Sequence, residues 1–396
     1  MHESIDRDAI LAGLGVHPRL GIIGGGQLAS MTAAAARPLG CDVFVLERYA
    51  FSPAAHMAGD TMIGDWNDAD VVRRFAGQVD VLTLENEFVD VDALTRVDTD
   101  GRCGLRKHAT LRLIQDKYTQ KQTLSEAGLP VAPFRAVESV EALMDALRAF
   151  GVPAVLKARR NGYDGKGNVT IRNIEDAPRA WATLDGDRQA LYVEAFCAFT
   201  RELATIVTRG RDGATVVYPI VETIQRDHIC HMVLAPAAIP DAVAARASAM
   251  ATSAIAAIDG VGSFGVEMFE LADGTVLINE LAPRVHNSGH YTIEACACSQ
   301  FENHVRAVFG LPLGSPAMVR PAAVMINLLG HGSGSGAPLG MAAALAVPGA
   351  HVHVYGKAQS SRGRKMGHVT ALGENISEAR ATAERAASAL TFGAMS

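Results

Sequence analysis

Apolar positions in the N-terminal part of the chain come in short runs separated by stretches of helical spacing. Arg19 to Gly24 reads as a strand entering a glycine turn, and Gln27 to Ala36 as an alanine-rich helix. Cys41 to Glu47 (CDVFVLE) and Val79 to Leu84 (VDVLTL) are further strands. This alternation predicts parallel βαβ units. Thr110 to Gly128 reads as a helical stretch, stopped by its terminal glycine and by Pro130. From Pro153 the pattern changes to strands (PAVLKA, NVTIR, ALYVEAF, ELATIVTR) with turns between them. Asp241 to Ile258 is a long alanine-rich helix, followed by a strand pair over 264–281. A helix around Phe301 to Phe309 ends at Gly310 and Pro312, and HGSGSGAP (331–338) reads as a surface loop. The last sixty or so residues mix strand and helix.

Composition narrows the class. A chain of 396 residues accommodates two or three domains, and 49% hydrophobic with 20% charged residues excludes a mainly disordered chain. A net charge of −6 argues against a nucleic-acid partner but leaves room for one local phosphate pocket. No apolar run approaches the roughly 18 residues of a membrane span, so no membrane partner is expected. Met1 to Arg19 carries Glu3, Asp6, Arg7 and Asp8 and does not resemble a signal peptide. Residues 1–17 read as an extension. Six cysteines (Cys41, Cys103, Cys197, Cys230, Cys296, Cys298) without a CxxC pair predict a reducing, cytoplasmic setting.

Five clusters carry candidate chemistry. Gly24-Gly25-Gly26-Gln27-Leu28-Ala29 has GxGxxA spacing between a strand and a helix, and Glu47 ends the next strand. That arrangement fits a dinucleotide, another phosphate ligand or a tight structural turn. Lys157 and the loop Asn161 to Gly167 lie between two strands and suit either a polyphosphate lid or a plain hairpin. It is not a Walker A loop. Two apolar strands flank Asp273-Gly274, and a two-residue turn there places Glu267 opposite Glu280 and Phe269 opposite Ile278. Facing carboxylates roughly 5 Å apart need compensation, and a divalent cation supplies it. Arg284, His286 and Asn287 follow at once, a donor-rich segment suited to a small anion or to capping a helix. Lys357, Arg362, Arg364, Lys365 and His368 form a basic cluster that fits a phosphate monoester or a solvated face.

Six phrases in order, GIIGGGQLA (21–29), QDKYTQK (115–121), VLKARRNGYDGKG (155–167), INELAPRVHNSGH (278–290), AAVMINLLG (322–330) and YGKAQSSRGRKMGH (355–368), resemble the ATP-grasp superfamily. Within it they resemble the branch of N5-carboxyaminoimidazole ribonucleotide synthetases. The resemblance implies an α/β chain with an ATP-grasp fold, an N-terminal Rossmann-like parallel-sheet domain and a small C-terminal domain. Its divisions would be an extension (1–17), a pre-ATP-grasp domain (18–108), an ATP-grasp domain (109–311, lid about 130–195) and a C-terminal domain (312–396). The implied activity is ATP-dependent carboxylation of 5-aminoimidazole ribonucleotide by bicarbonate in purine biosynthesis, with Mg2+ (or Mn2+) as metal and a homodimer as assembly.

Carried onto this sequence, the resemblance assigns Lys117 and Lys157 to the nucleotide phosphates. Gly162, Tyr163, Asp164, Gly165, Lys166, Gly167 and Asn168 would form the mobile lid. Glu194, Ala195, Phe196 and Cys197 would be a strand edge holding adenine, with Glu202 on the ribose. Gln225, Asn279 and Glu280 would complete the nucleotide site, and Glu267 with Glu280 would hold the metal. Arg284, His286 and Asn287 would receive bicarbonate and the derived carboxyphosphate. The ribonucleotide would lie among Gly25, Gly26, Gln27, Leu28, Glu85, Tyr163, Arg284, Lys357 and Arg364.

Three positions depart from the family's habit. Lys117 stands where Arg is common, Glu85-Asn86-Glu87-Phe88 replaces EFEN, and Ala282 occupies a position where many ATP-grasp enzymes carry Asn. Competing readings are a formate-using ATP-grasp transformylase, a nicotinamide-dependent dehydrogenase and a non-catalytic nucleotide sensor.

Overall fold

The computed structural model describes residues 15–97, 108–162 and 167–393. Three sheets and a short ribbon organise them. The first is parallel, in the order β3-β2-β1-β4: β1 (Arg19–Ile23), β2 (Asp42–Glu47), β3 (Asp60–Ile63) and β4 (Val81–Leu84). Alanines 29, 33 and 36 of the helix Gln27–Ala36 pack close against Leu20, Ile22, Val43 and Val45, where larger side chains would hold helix and sheet apart.

The second sheet is antiparallel, in the order β5-β8-β6-β7: β5 (Phe134–Val137), β6 (Ala154–Ala158), β7 (Asn168–Ile171) and β8 (Leu191–Ala195). The helices Val140–Phe150 and Ala177–Thr183 cover it with Leu143, Leu147 and Trp181.

The third sheet has nine strands. Its strands are β9 (Phe199–Arg209), β10 (Thr215–Val217), β11 (Val221–Arg226), β12 (Ile229–Ala235), β13 (Gly262–Leu271), β14 (Val276–Ala282), β15 (Ala322–Leu329), β17 (Ala350–Val354) and β19 (Lys365–Gly373), while β16 (Gly334–Ser335) and β18 (Gln359–Ser360) form the ribbon. The helix Asp241–Ala257 lays Val243, Ala247, Ala251, Ala254 and Ile255 on β9, β13 and β14. β12 pairs with β15, Met232 opposite Ile326, so one continuous sheet crosses the expected division at residue 312.

Four expectations change. The stretch 110–128 is two helices, His108–Gln115 and Lys117–Glu126. Asp116 breaks it by leaving helical geometry and accepting hydrogen bonds from Tyr118 N and Thr119 N, which makes it an N-cap. The segment between NVTIR and ALYVEAF holds the helix Ala177–Thr183 rather than turns alone. The glycines of 331–340 are not a plain loop. Gly334-Ser335 pairs with Gln359-Ser360, and a Cβ on Gly336 would lie 1.7 Å from Lys357 O.

The fourth change concerns the carboxylate hairpin. Leu271 N donates to Thr275 O, so the turn is one residue longer than Asp273-Gly274 alone provides. Phe269 therefore faces Leu277, not Ile278, which pairs with Met268. The register then shifts between Glu267 and Met268, and this bulge restores Glu267 opposite Glu280. Asn279 is the extra residue, and it turns Asn279 and Glu280 away from the core that takes Val276, Ile278 and Leu281.

Candidate active site

A cavity of about 1490 Å3 runs between the β5–β8 sheet and the large sheet, and reaches the end of β4 and the Lys357–Lys365 segment. Of the residues singled out from sequence, Gln27, Leu28, Glu85, Lys117, Lys157, Gly162, Asn168, Glu194, Ala195, Phe196, Cys197, Glu202, Gln225, Glu267, Asn279, Glu280, Arg284, His286, Asn287, Lys357 and Arg364 line it. Tyr163, Asp164, Gly165 and Lys166 lie outside the described residues. Gly25, Gly26 and Gly167 are not part of the lining.

The first glycine cluster shows why. Gly25 N donates to Glu47 Oε2 at 2.7 Å, and Gly26 N donates to Glu85 Oε2 at 2.8 Å. Leu28 N donates to Glu85 Oε1 at 3.3 Å. A Cβ on Gly26 would sit 2.1 Å from Glu85 Oε1. The anions at this helix start are the protein's own carboxylates. Glu47 is buried beneath the cluster, so the dehydrogenase reading loses both its pyrophosphate site and its ribose acid. Burial and the nearby Glu47 push the Glu85 carboxyl above its usual range, against the hydrogen bond from Gly26.

At the opposite wall, Asp116 holds Arg159 through Nη2–Oδ2 at 2.7 Å, and the guanidinium lies over Tyr118. Lys117 N donates to Arg159 O at 2.8 Å, which brings the two ends of this wall together. Lys117 Nζ donates to Glu280 Oε2 at 2.7 Å. Lys157 hydrogen-bonds to Glu194, and Lys121 Nζ lies 3.0 Å from Glu194 Oε2. Burial alone would raise the Glu194 carboxyl, but Lys157 and Lys121 outweigh it and hold the group below its usual range.

Glu194 does not sit on a strand edge. β8 is an inner strand, and Glu194 pairs with Phe134 on one side and Val155 on the other. The strand instead ends at Ala195, where Phe196 is exposed. Lys121 is not among the candidates read from the sequence, although a signal for it is there. QDKYTQK repeats lysine at i and i+4, which on a helix puts both on one face, and that spacing is the signal.

The paired carboxylates carry opposite consequences. Burial and the charges of Glu280 and Glu202 push Glu267 up to about 8. Glu280 goes down despite its burial, because Lys117 both faces it and donates to it. Phe269 stacks on Phe199 at 4.6 Å beside them, making an aromatic shelf inside the cavity.

β14 runs directly into the donor-rich segment. Arg284 forks onto Glu87, Nε–Oε2 at 2.7 Å and Nη2–Oε1 at 3.2 Å, so of the acidic pair around Asn86 it is Glu87 that meets this arginine. His286 Nε2 is 3.5 Å from Glu267 Oε1, and burial together with Arg284 and Lys365 pushes its imidazole down to about 3. The ring lies on Gly265, where a Cβ would come within 2.6 Å of His286 Cβ. Asn287 and Asn327 exchange side-chain amide hydrogen bonds at 3.0 and 2.6 Å, which ties this segment to β15.

In the basic cluster, Lys357 Nζ donates to Lys365 O at 2.7 Å and Arg364 Nη1 to Gln359 O at 2.6 Å. Arg362 and Lys365 also line the cavity.

Comparison with known proteins agrees with this geometry. Residues 18–115 match the ribonucleotide synthetase preATP-grasp domain, 122–301 the ATP-grasp domain, and 323–382 the phosphoribosylaminoimidazole carboxylase C-terminal domain. The N5-carboxyaminoimidazole ribonucleotide synthase of Synechococcus elongatus is 42% identical over 354 residues, covering 89% of this chain and 88% of that protein. The chain belongs to the N5-carboxyaminoimidazole ribonucleotide synthetase family.

A phosphoribosylaminoimidazole carboxylase of Schizosaccharomyces pombe is also 42% identical, over 366 residues, 91% of this chain and 66% of that protein. An Aspergillus clavatus N5-carboxyaminoimidazole synthase, solved with ADP and 5-aminoimidazole ribonucleotide, superposes with a TM-score of 0.86 at 35% identity. That match covers 94% of this chain and 98% of the other. Membership makes this chain an ATP-dependent ligase of purine biosynthesis with an ATP-grasp fold. No helix among the described residues is long and apolar enough to cross a membrane.

Proposed function

We propose that this ligase carboxylates the exocyclic amine of 5-aminoimidazole ribonucleotide with bicarbonate and ATP, releasing ADP and phosphate. The observation that carries the reading is a juxtaposition. Glu267 faces Glu280 on β13 and β14, and the Arg284–Asn287 segment leaves β14 into the same cavity.

Bicarbonate is a poor electrophile. Transfer of the γ-phosphoryl group to a bicarbonate oxygen gives carboxyphosphate and ADP. Carboxyphosphate then breaks its C–O bond to give phosphate and CO2, and the amine attacks CO2 and loses a proton. Lys117 and Lys157 neutralise phosphate charge during the first step. The Phe199–Phe269 shelf and the end of β8 at Ala195 to Cys197 suit the base, and Glu202 the ribose. Arg284, released from Glu87, pairs bidentately with the carboxyl-bearing anion, and Asn287 adds directional hydrogen bonds. His286 is neutral at physiological pH and acts as a hydrogen-bonding group, not as a cation. Lys357 and Arg364 take the 5′-phosphate, while Gln27, Leu28 and Glu85 form the wall beside it.

Two oxygen-rich carboxylates facing each other in a cleft with lysines fit Mg2+, which prefers carboxylate and phosphate oxygens. Bound there by Glu267 and Glu280, it would supply charge compensation and phosphate orientation. Exclusion of water from carboxyphosphate needs a cover over ATP. The segment assigned to it by resemblance lies largely outside the described residues, and Gly162 and Asn168 at its two ends line the cavity. The free cysteines Cys41, Cys197, Cys230, Cys296 and Cys298 support a cytoplasmic setting, and we place the enzyme there as a homodimer.

The test is identification of the product after incubation with ATP, bicarbonate and aminoimidazole ribonucleotide. Phosphate release should require both other substrates. Equal release with either one omitted, or turnover with formate in place of bicarbonate, would sink this reading.

A further inference from the structure

We propose that Gln300 is a positioning residue that couples ATP cleavage to carboxylation by fixing the backbone N–H and C=O of His286. The inference rests on the reaction proposed above.

Gln300 is fully buried at the start of the helix Gln300–Phe309 and touches no part of the cavity. Its carboxamide holds both sides of one residue's backbone. His286 N donates to Gln300 Oε1 at 2.8 Å, and Gln300 Nε2 donates to His286 O at 2.7 Å. The remaining amide hydrogen faces His290 Nδ1 at 3.3 Å. Behind it Gly289 closes against the same side chain, where a Cβ would lie 2.7 Å from Gln300 Cδ. Only an amide presents an acceptor and a donor together in this way. Glutamate at neutral pH keeps the acceptor and loses the donor, and leucine loses both.

The clamp is itself anchored on two walls of the site. One turn further along the helix, His304 accepts from Ser263 N through Nδ1 at 3.0 Å. Its Nε2 therefore carries the hydrogen and donates to Thr83 Oγ1 at 2.7 Å. Thr83 lies two residues before Glu85, and Ser263 shares β13 with Glu267. The helix thus references the Arg284–Asn287 segment to β13, which bears Glu267, and to β4, which leads into Glu85. Gln300 has no hydrogen bond to Lys117, Lys157 or Glu194 among the described contacts. Loosening it therefore misplaces the groups that hold the carboxyl carrier and leaves the groups that hold ATP.

The test compares wild type, Gln300→Glu and Gln300→Leu for phosphate released per carboxylated product, KM for each substrate and melting temperature. Wild type should release close to one phosphate per product. Gln300→Leu should raise KM for bicarbonate about tenfold and release several phosphates per product, with KM for ATP changed less than about twofold. Gln300→Glu should fall between the two. If both variants fold and keep the wild-type ratio, or if all three KM values move in parallel with melting temperature, the proposal fails. Should Gln300→Leu not fold, Gln300→Glu decides alone, and a wild-type ratio there overturns the proposal. Absence of carboxylated product from wild type would instead overturn the reaction itself.

Discussion

The protein treats two pairs of glutamates in opposite ways, one pair at and behind the β4 end of the cavity and the other facing into it from β13 and β14. Glu47 and Glu85 are received by main-chain N–H groups at the start of the helix Gln27–Ala36. Glu267 and Glu280 face each other across two strands, with one lysine and a neutral histidine as their neighbours. A carboxylate met by two or more backbone amides is satisfied by the fold itself. Of two carboxylates that meet each other, Glu280 has Lys117, while Glu267 is left to take up a proton or a positive charge brought to it. The difference separates an anchor from a binding site more sharply than burial or charge alone.

The comparison breaks most readily at Glu280. Glu280→Gln removes the carboxylate that Lys117 holds, and turnover should fall by on the order of 10^2–10^3-fold. A variant that retains most of its rate in a phosphate-release assay would take Glu280 out of the reaction. Glu267→Gln should cost turnover by about tenfold or more, because it removes the carboxylate facing Glu280. Its effect on the ligand-free fold should have the other sign. In the ligand-free fold burial and Glu280 keep Glu267 protonated at neutral pH, a cost the unfolded chain does not bear. Glutamine removes that cost along with the 3.5 Å contact to His286, so the melting temperature at neutral pH should hold or rise. A clear fall would mean that this pair is satisfied within the fold, like the first.

These two glutamates were legible in the sequence, though by a partly mistaken route. A two-residue turn at Asp273-Gly274 predicts the pairing, and the turn in the structure is one residue longer. The bulge at Asn279 shifts the register back by one residue, so the Glu267–Glu280 pairing survives while the Phe269–Ile278 pairing does not. Alternation along a strand is readable from sequence, but a bulge interrupts it without a residue signature of its own. The parallel sheet, the helix Gln27–Ala36 and the Arg284–Asn287 segment were legible because each rests on local spacing. The occupancy of the glycine cluster was not. It depends on Glu85, about sixty residues away, and GxGxxA looks the same whether its amides wait for a phosphate or already hold a carboxylate. The helix break at Asp116 had a local signal, an aspartate before Lys117, that the surrounding apolar spacing concealed. Gln300 had none, since a glutamine beginning a helix is ordinary until the distant peptide it clamps is known.

The anchor pair yields a smaller effect, on stability. Glu47→Gln retains one acceptor for Gly25 N or Arg48 N but not two, and should cost about 1–2 kcal/mol in denaturant unfolding. Turnover should stay within about threefold of wild type, because Glu47 is buried behind the glycine cluster and does not line the cavity. A loss of turnover like that of Glu280→Gln, with stability intact, would return Glu47 to the site and erase the distinction between the pairs.

At neutral pH the smallest effect concerns the helix that joins the two walls, because it develops only as the pH falls. Burial lowers the His304 imidazole to about 4, so the folded protein keeps it neutral where the unfolded chain, near 6.5, takes up a proton. Below 6.5 the unfolded state binds more protons, and stability falls as pH drops from 6.5 towards 4. One such group changes stability by at most about 1.4 kcal/mol per pH unit across that window. His304→Gln should flatten the acid limb of unfolding free energy against pH by about one proton, while other buried and lowered groups, His286, His290 and His368 among them, keep the rest of the slope. An unchanged slope would show that His304 is already charged in the folded protein. Its Nδ1 could then no longer accept from Ser263 N, and the helix would lose the bond that ties it to the strand of Glu267.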